Sequence, residues 1–393
     1  MEGVRVIADD LTGACDVGAA LLPSPEPIVV EVFPTDGAAP AGLCIRNTQS
    51  RTHAPAAAAV AVRRALAGGQ MPILLKKIDT GLRGPLGAEL DAAVDAAGAA
   101  EAFVMAAIPD SGRTTVDGVQ LADGVPVDRT AFARDPENPV RDARVASVIE
   151  ATSRRRAGVV RLADVRAGRT TDAIAHVRAS GADIVVIDGE TDDDLDRGVA
   201  AALARPRPLV LAGSTGLARA LRRALGGHAA ERPAPARGRR PGVLVVVGSV
   251  HPTARAQVAL AARGGARLET LTTGTTGRID ALAAALEAGA VVVLETSEGH
   301  GVGRDELATL AAVAQRTMAR AIPGALVLVG GETAEVVLRT AGIGWLVVDD
   351  APAPLAVQSH VASGPLAGMR VVTKGGSTGP AERLADLVRG VQP

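Results

Sequence analysis

Aromatic side chains are nearly missing. Three Phe, one Trp and no Tyr amount to 1% of 393 residues. Base-stacking platforms for single-stranded DNA or RNA need such rings, so that class of partner is excluded. Cysteine is scarce too: Cys15 and Cys44 make neither a disulfide framework nor a thiolate metal knuckle, which fits a reducing compartment. Neither sign of charge is in excess. With 42 Lys+Arg against 43 Asp+Glu the formal net charge is −1, and nothing in that total points to nucleic acid or to an anionic membrane. No run of about 18 uncharged apolar residues occurs, and the N-terminal MEGVRVIADD meets two acids before a signal-peptide core forms. The expectation is a soluble, cytoplasmic protein.

Lysine is the most telling shortage. Of the 42 basic residues only Lys76, Lys77 and Lys374 are lysine. Arginine stands wherever a cation of either shape would serve. A compact ammonium approaches a phosphate or carboxylate as a point charge where a planar fork does not fit, so these three positions are candidate chemistry rather than surface survivors.

Hydrophobic residues make up 47% of the chain, ample for a packed core in each of two domains. Strand-like runs at 4–8, 73–75, 184–187, 209–211, 243–247, 291–294, 326–329 and 371–373 each enter a short polar or Gly-rich turn and then, in most cases, an Ala/Leu-rich helical stretch. That alternation predicts an α/β protein of two domains, each a largely parallel sheet flanked by helices, with an active-site cleft between them. Residues 226–241, GGHAAERPAPARGRRP, lack hydrophobic periodicity and read as a linker. The expected division is therefore 1–225, linker 226–241, and 242–393. Residues 109–139 read as a long elaborated loop with a small hairpin, a length typical of binding loops or lids.

Strand-to-helix turns rich in glycine point backbone N–H groups at one spot beside a helix dipole, which suits phosphate. The C-terminal domain has three: Gly248 with Ser249; Gly330, Gly331, Glu332 and Thr333; and Lys374 with Gly375 and Gly376. No Walker string is present, and GHGVG at 299–303 lacks the third glycine of a dinucleotide fingerprint. In the N-terminal domain Asp9, Asp10, Asp16, Asn47, Arg51, Lys76, Lys77, Asp79 and Arg83 fall at expected strand ends, where an open α/β sheet holds small polar ligands. Lysine neutralises an anion, Arg51 or Arg83 grips a carboxylate at two points, and an aspartate takes a hydroxyl proton. Asp10 and Asp79 also have the form of simple helix caps. The six histidines show no metal-ligand or triad spacing, and GSTGL at 213–217 is not a nucleophile elbow.

Eight separated strings then resemble one family: ADDLTGACD (8–16), NTQSR (47–51), KKIDTGLRG (76–84), GRTTVDGVQLADGVPV (112–127), FARDPENPV (132–140), GSTGL, GGET (330–333) and GPLAGMRVVTKGG (364–376). The chain is similar to the four-carbon acid sugar kinases, which include D-threonate, D-erythronate and 3-oxo-tetronate kinases. The resemblance implies an N-terminal substrate domain, a C-terminal nucleotide domain, and ATP-dependent phosphorylation of a terminal hydroxyl with Mg²⁺. It implies substrate contacts at Asp9 or Asp10, Arg51 and 76–79; the residue chemistry adds Arg83 beside them, Lys77 to offset phosphate charge, and either Asp10 or Asp79 as the carboxylate that orients or deprotonates the hydroxyl. For ATP it implies Ser249, Gly330, Gly331, Glu332, Thr333, Lys374, Gly375 and Gly376; the metal ligands stay unassigned. Departures are Cys15 where Asn is common, Gln49 in the third strand's motif, and KKIDTGLRGP in place of K-K-I-D-S-T-L-R-G-N, which brings in Gly81 and Pro85. Two alternatives are a ribokinase-like sugar kinase with Asp16 as base and a non-enzymatic two-lobed binding protein for small acids. The expected partners are a small acid sugar and ATP, not nucleic acid or membrane, and dimerisation rests only on its frequency among soluble enzymes.

Overall fold

Runs of Val, Ile and Leu become strands buried on both faces, as parallel sheets covered by helices require. The structure is a computed structural model that describes residues 3–35, 39–68, 71–135, 137–227, 240–272, 275–296 and 304–392. In chain order the strands are β1 (Val4–Ala8), β2 (Ile28–Glu31), β3 (Leu43–Asn47), β4 (Ile73–Lys77), β5 (Ala102–Met105), β6 (Arg113–Val116), β7 (Val119–Ala122), β8 (Val125–Pro126), β9 (Ala157–Val160), β10 (Ile184–Ile187), β11 (Leu209–Gly213), β12 (Val243–Val247), β13 (Arg267–Thr270), β14 (Val291–Glu295), β15 (Ala325–Val329), β16 (Trp345–Ala353), β17 (Ala356–Val361) and β18 (Arg370–Lys374). The chain divides into two compact units, Met1–Ile28 with Leu43–Glu231 and Val29–Gly42 with Arg232–Pro393.

The first unit holds a parallel sheet in the order β3-β1-β4-β11-β5-β10-β9. The chain leaves β1 for β3 on one side and returns to β4 on the other, so β1 marks the switch point where such sheets open a crevice. On one face the helices Pro55–Ala65 and Leu86–Ala97, the latter through Leu90, pack over Ile7, Leu74, Val104, Val186 and Val210. The helices Leu11–Ala20, Asp192–Leu203 and Thr215–Ala224 pack together on the other face. Polar side chains set where these helices begin. Asp10 caps the first by accepting from Gly13 N at 2.9 Å, Thr191 and Asp194 form a reciprocal capping box on the second, and Ser214 caps the third. The long loop at 109–139 does carry a small antiparallel sheet, β6-β7-β8. Buried Gln120 fastens it, donating to Thr80 O at 3.1 Å and accepting from Thr115 Oγ1 at 2.6 Å.

The second unit runs β13-β14-β12-β15-β18 in parallel, but β17 and β16 continue the sheet antiparallel, and β2 adds to β16 antiparallel. The segment Val29–Gly42 thus lies with this unit although it falls inside the 1–225 stretch. Its strand pairs Val29, Val30 and Glu31 with Val347, Leu346 and Trp345, Val32 N donates to Gly344 O, and the Phe33 ring carries the Arg339 guanidinium. The proposed linker lies almost wholly outside the described residues, as does GHGVG. No helix among the described residues is long and apolar enough to cross a membrane.

Candidate active site

Register brings the polar positions of the first unit level. Ala8 pairs with Asn47 and with Lys77, and Lys77 with Gly213, so the turns after β1, β3 and β4 emerge side by side. The NTQSR turn folds over β1: Thr48 N donates to Ala8 O, Ser50 N and Arg51 N to Asp9 O, and Gln49, at φ 54°, donates its N–H to Asn47 Oδ1. A left-handed backbone at a non-glycine residue is a strained conformation of the kind functional turns hold.

This fold places Arg51 across both aspartates. Its Nε and Nη2 donate to Asp9 Oδ2 and Oδ1 at 2.8 and 3.1 Å, and its Nη1 and Nη2 to Asp10 Oδ2 and Oδ1 at 2.8 and 2.6 Å. Asp10 is therefore both a helix cap and an ion-pair partner of Arg51. Arg83 holds Asp79 in the same two-point way, at 2.8 and 3.0 Å, and reaches Asp135 at 2.9 Å. Burial pushes Asp9 upward, but Arg51, Lys76 and Lys77 outweigh it and leave the carboxyl below its ordinary range. Burial likewise opposes ionisation of Asp79, and Arg83 with Arg51 overcomes it. Asp79 stays ionised at any working pH, and Arg51 is raised in turn despite its own burial by Asp10 and Asp9.

Lys76 and Lys77 are neighbours on one strand, so they point to opposite faces. Lys76, with 0% of its surface exposed, ion-pairs with Glu89 of the helix Leu86–Ala97 at 3.0 Å. Ser50 Oγ donates to the same carboxylate. Lys76, expected at the substrate, has its ammonium against this buried acid, which lies close to Asp9. Sequence reasoning missed Glu89, whose only signal is an acid on the apolar face of an expected helix. Lys77 turns the other way, toward the helix Leu11–Ala20. Its Nζ donates to Ile78 O at 2.7 Å and lies over Gly13, where a Cβ would come within 2.9 Å of it. One turn on from Gly13 is half-buried Asp16. Burial raises its carboxyl to about 7, with Lys77 pulling down and Asp10 adding to the rise.

In the second unit the three glycine turns meet. Val247, Val329 and Lys374 are level on the adjacent strands β12, β15 and β18, and Gly330 N donates to Lys374 O at 2.8 Å. A Cβ on Gly376 would collide with Ser249 Oγ, and one on Gly248 with Thr333 Oγ1. Gly330, at φ 108°, opens the helix Gly331–Thr340 without any side-chain cap. Gln257, itself buried, donates to Thr378 O, Gly379 O and Pro380 O and fastens the turn after Gly376. Lys374, 1% exposed, donates to Gly375 O at 2.7 Å; burial lowers it to about 8 and Arg383 adds to that. His251 caps the helix Pro252–Arg263 next to Ser249 and His360 pairs with Asp349, both in structural roles. Among the described residues no group of three His, Cys, Asp or Glu could hold a metal.

A sugar-binding N-terminal domain model matches residues 4–221, and a nucleotide-binding C-terminal domain model matches 244–384. D-threonate kinase of Salmonella typhimurium is 37% identical over 260 residues, covering 64% of this chain and 59% of that protein. D-erythronate kinase of Heliobacterium modesticaldum is 29% identical over 438 aligned positions, covering 99% and 97%. A crystal structure of a protein from Salmonella typhimurium LT2 superposes with a TM-score of 0.80 at 21% identity over 99% of both chains, a likeness of fold. These matches disfavour the ribokinase-like and non-enzymatic alternatives. With two domain models laid in order along one chain, and a tetronate kinase aligned nearly end to end with it, the chain belongs to the four-carbon acid sugar kinase family.

Proposed function

We propose that the protein transfers the γ-phosphoryl of ATP to the terminal hydroxyl of a four-carbon acid sugar such as threonate, erythronate or a 3-oxo-tetronate. The observation that carries this reading is the meeting of Ser249, Gly330, Thr333 and Gly376 at three adjacent strand ends, with Lys374 at the last of them. Its chemistry suits phosphate: a helix N-terminus without a side-chain cap, small side chains and one buried ammonium. The acid and base groups for the acceptor lie in the sugar-binding domain.

The hydroxyl oxygen forms the new O–P bond as the bond to ADP breaks, and its proton passes to a carboxylate. Asp79 is a poor recipient because its two arginines hold it ionised, and its role is to orient. Asp16, raised to about 7, has the proton affinity a general base needs near neutral pH and lies one turn along the helix from the Lys77 ammonium. Lys77, with its charge beside Asp10 and Asp16, offsets the negative charge that gathers during transfer. Mg²⁺, when bound, screens the phosphate oxygens.

A coupled ADP-release assay with ATP and the tetronic acids tests the reading. Phosphate-ester formation on at least one of them is expected; no ADP release with any tetronate would refute it.

A further inference from the structure

A four-carbon acid sugar carries a carboxylate at the end remote from the phosphorylated hydroxyl, and some group must read it. Arg51 and Arg83 have the right shape, but the structure engages both with protein carboxylates. Arg51 gives four hydrogen bonds to Asp9 and Asp10, and Arg83 gives three to Asp79 and Asp135. A third guanidinium lies at the same loops. Arg113 opens β6, and its backbone is fixed by Ile108 N donating to Arg113 O at 2.8 Å and Arg113 N donating to Ile108 O at 3.1 Å, just past the end of β5. Its side chain is 23% exposed, and its nearest carboxylate, Asp123 at 3.6 Å, is 82% exposed. An exposed pair at that distance holds neither partner firmly.

What holds the Arg113 guanidinium is Phe132. The Arg113 and Arg83 guanidinium carbons lie 5.6 and 5.3 Å from the centre of that ring. The ring has room only because position 81 is glycine. A Cβ there would come within 2.5 to 2.8 Å of three ring carbons, so any side chain at 81 is incompatible with the Phe132 position seen here. Gly81 N also donates to Asp79 Oδ2 at 3.1 Å, which ties the ring's seat to the site's own loop. The hairpin carrying Arg113 is fastened to that loop by the Gln120 bond to Thr80 O.

We propose that Arg113, steadied on Phe132, binds the substrate carboxylate, and that Gly81 is the residue that makes this arrangement possible. The inference rests on the acid sugar kinase reading. A guanidinium whose only ion pair is long and solvent-exposed gives a two-point grip on a carboxylate at less cost than one already hydrogen-bonded to buried protein carboxylates.

Steady-state kinetics and calorimetric binding on the full chain test it, using the best tetronate, its neutral amide, and the variants Arg113→Gln and Arg113→Lys. Arg113→Gln is expected to raise KM and Kd for the tetronate about 10- to 100-fold, with kcat changed little and KM for ATP unchanged. Arg113→Lys recovers part of the loss. The amide suffers in the wild type and loses little more in Arg113→Gln. An unchanged tetronate KM in Arg113→Gln, or equal losses for acid and amide, overturns the proposal while the kinase reading stands. A wild-type protein that neither binds nor phosphorylates any tetronate overturns the kinase reading and this inference with it.

Discussion

Asp16 gives the sharpest test, because its proton affinity links stability and catalysis. Its ordinary value of 3.8 rises to about 7, chiefly through burial. In the unfolded chain the carboxyl has lost its proton by pH 5, whereas the folded chain keeps it until about 7. The unfolded state therefore binds fewer protons between those values, and stability falls as pH rises through the window. About three pKa units at about 1.4 kcal/mol each set a ceiling near 4 kcal/mol. Asp16 is only half-buried, and solvent screening reduces this to about 1–3 kcal/mol. In Asp16→Asn this contribution to the slope is absent. Urea unfolding of both chains at pH 5, 6, 7 and 8 should therefore find the variant gaining on the wild type by about 1–3 kcal/mol across the series. Its tetronate turnover should drop by about 10²-fold or more if Asp16 takes the hydroxyl proton, with tetronate binding retained. Stability curves that run parallel from pH 5 to 8 would refute the raised proton affinity, and full turnover in Asp16→Asn would refute its use as a base.

Lys76→Met should destabilise by about 3–5 kcal/mol, because Glu89 is left buried without its counter-charge, and the double variant with Glu89→Leu should recover most of it; denaturant melts measure both. Lys77→Ala should instead cut turnover while leaving the unfolding midpoint nearly unchanged, and an unaltered rate would count against its place in the site. ATP affinity should weaken as pH rises through about 8, where Lys374 loses its proton, and Lys374→Met should flatten that dependence in a fluorescence titration with a nucleotide analogue.

Local order was well written in the chain. The runs at 4–8, 184–187 and 243–247 are strands with those bounds, because a parallel strand covered on both faces is one uninterrupted apolar run between polar turns. The three phosphate-type turns were legible one by one. Their convergence was not, since it depends on β12, β15 and β18 being neighbours, which is a matter of topology. The antiparallel end of the second sheet escaped notice for a similar reason: β16 begins as WLVVDD and turns at Leu355, a non-glycine residue at φ 56°, with no Asn-Gly or Asp-Gly to announce a hairpin. The segment Val29–Gly42 could not be assigned either, because IVVE would serve equally in a sheet of either unit. In the site, strand periodicity alone implies that adjacent lysines face opposite ways. Which of them meets an acid is decided by Glu89, 13 positions along the chain.

The shortage of lysine acquires a physical meaning from these environments. All three ammoniums are enclosed, at 0%, 5% and 1% exposure for Lys76, Lys77 and Lys374. An arginine in any of these places would need room for a planar fork and acceptors for five N–H groups. Lys76 satisfies its site by pairing with Glu89 and donating to Lys77 O. Lys77 and Lys374 differ: each donates to a single backbone carbonyl, of Ile78 and Gly375, so two of the three N–H donors on each remain for an anion. One lies among the carboxylates of the sugar-binding domain and the other beside the glycine turns of the nucleotide-binding domain. In the proposed phosphoryl transfer both substrates are anions, and these two ammoniums are the compact charges the proposal assigns to them.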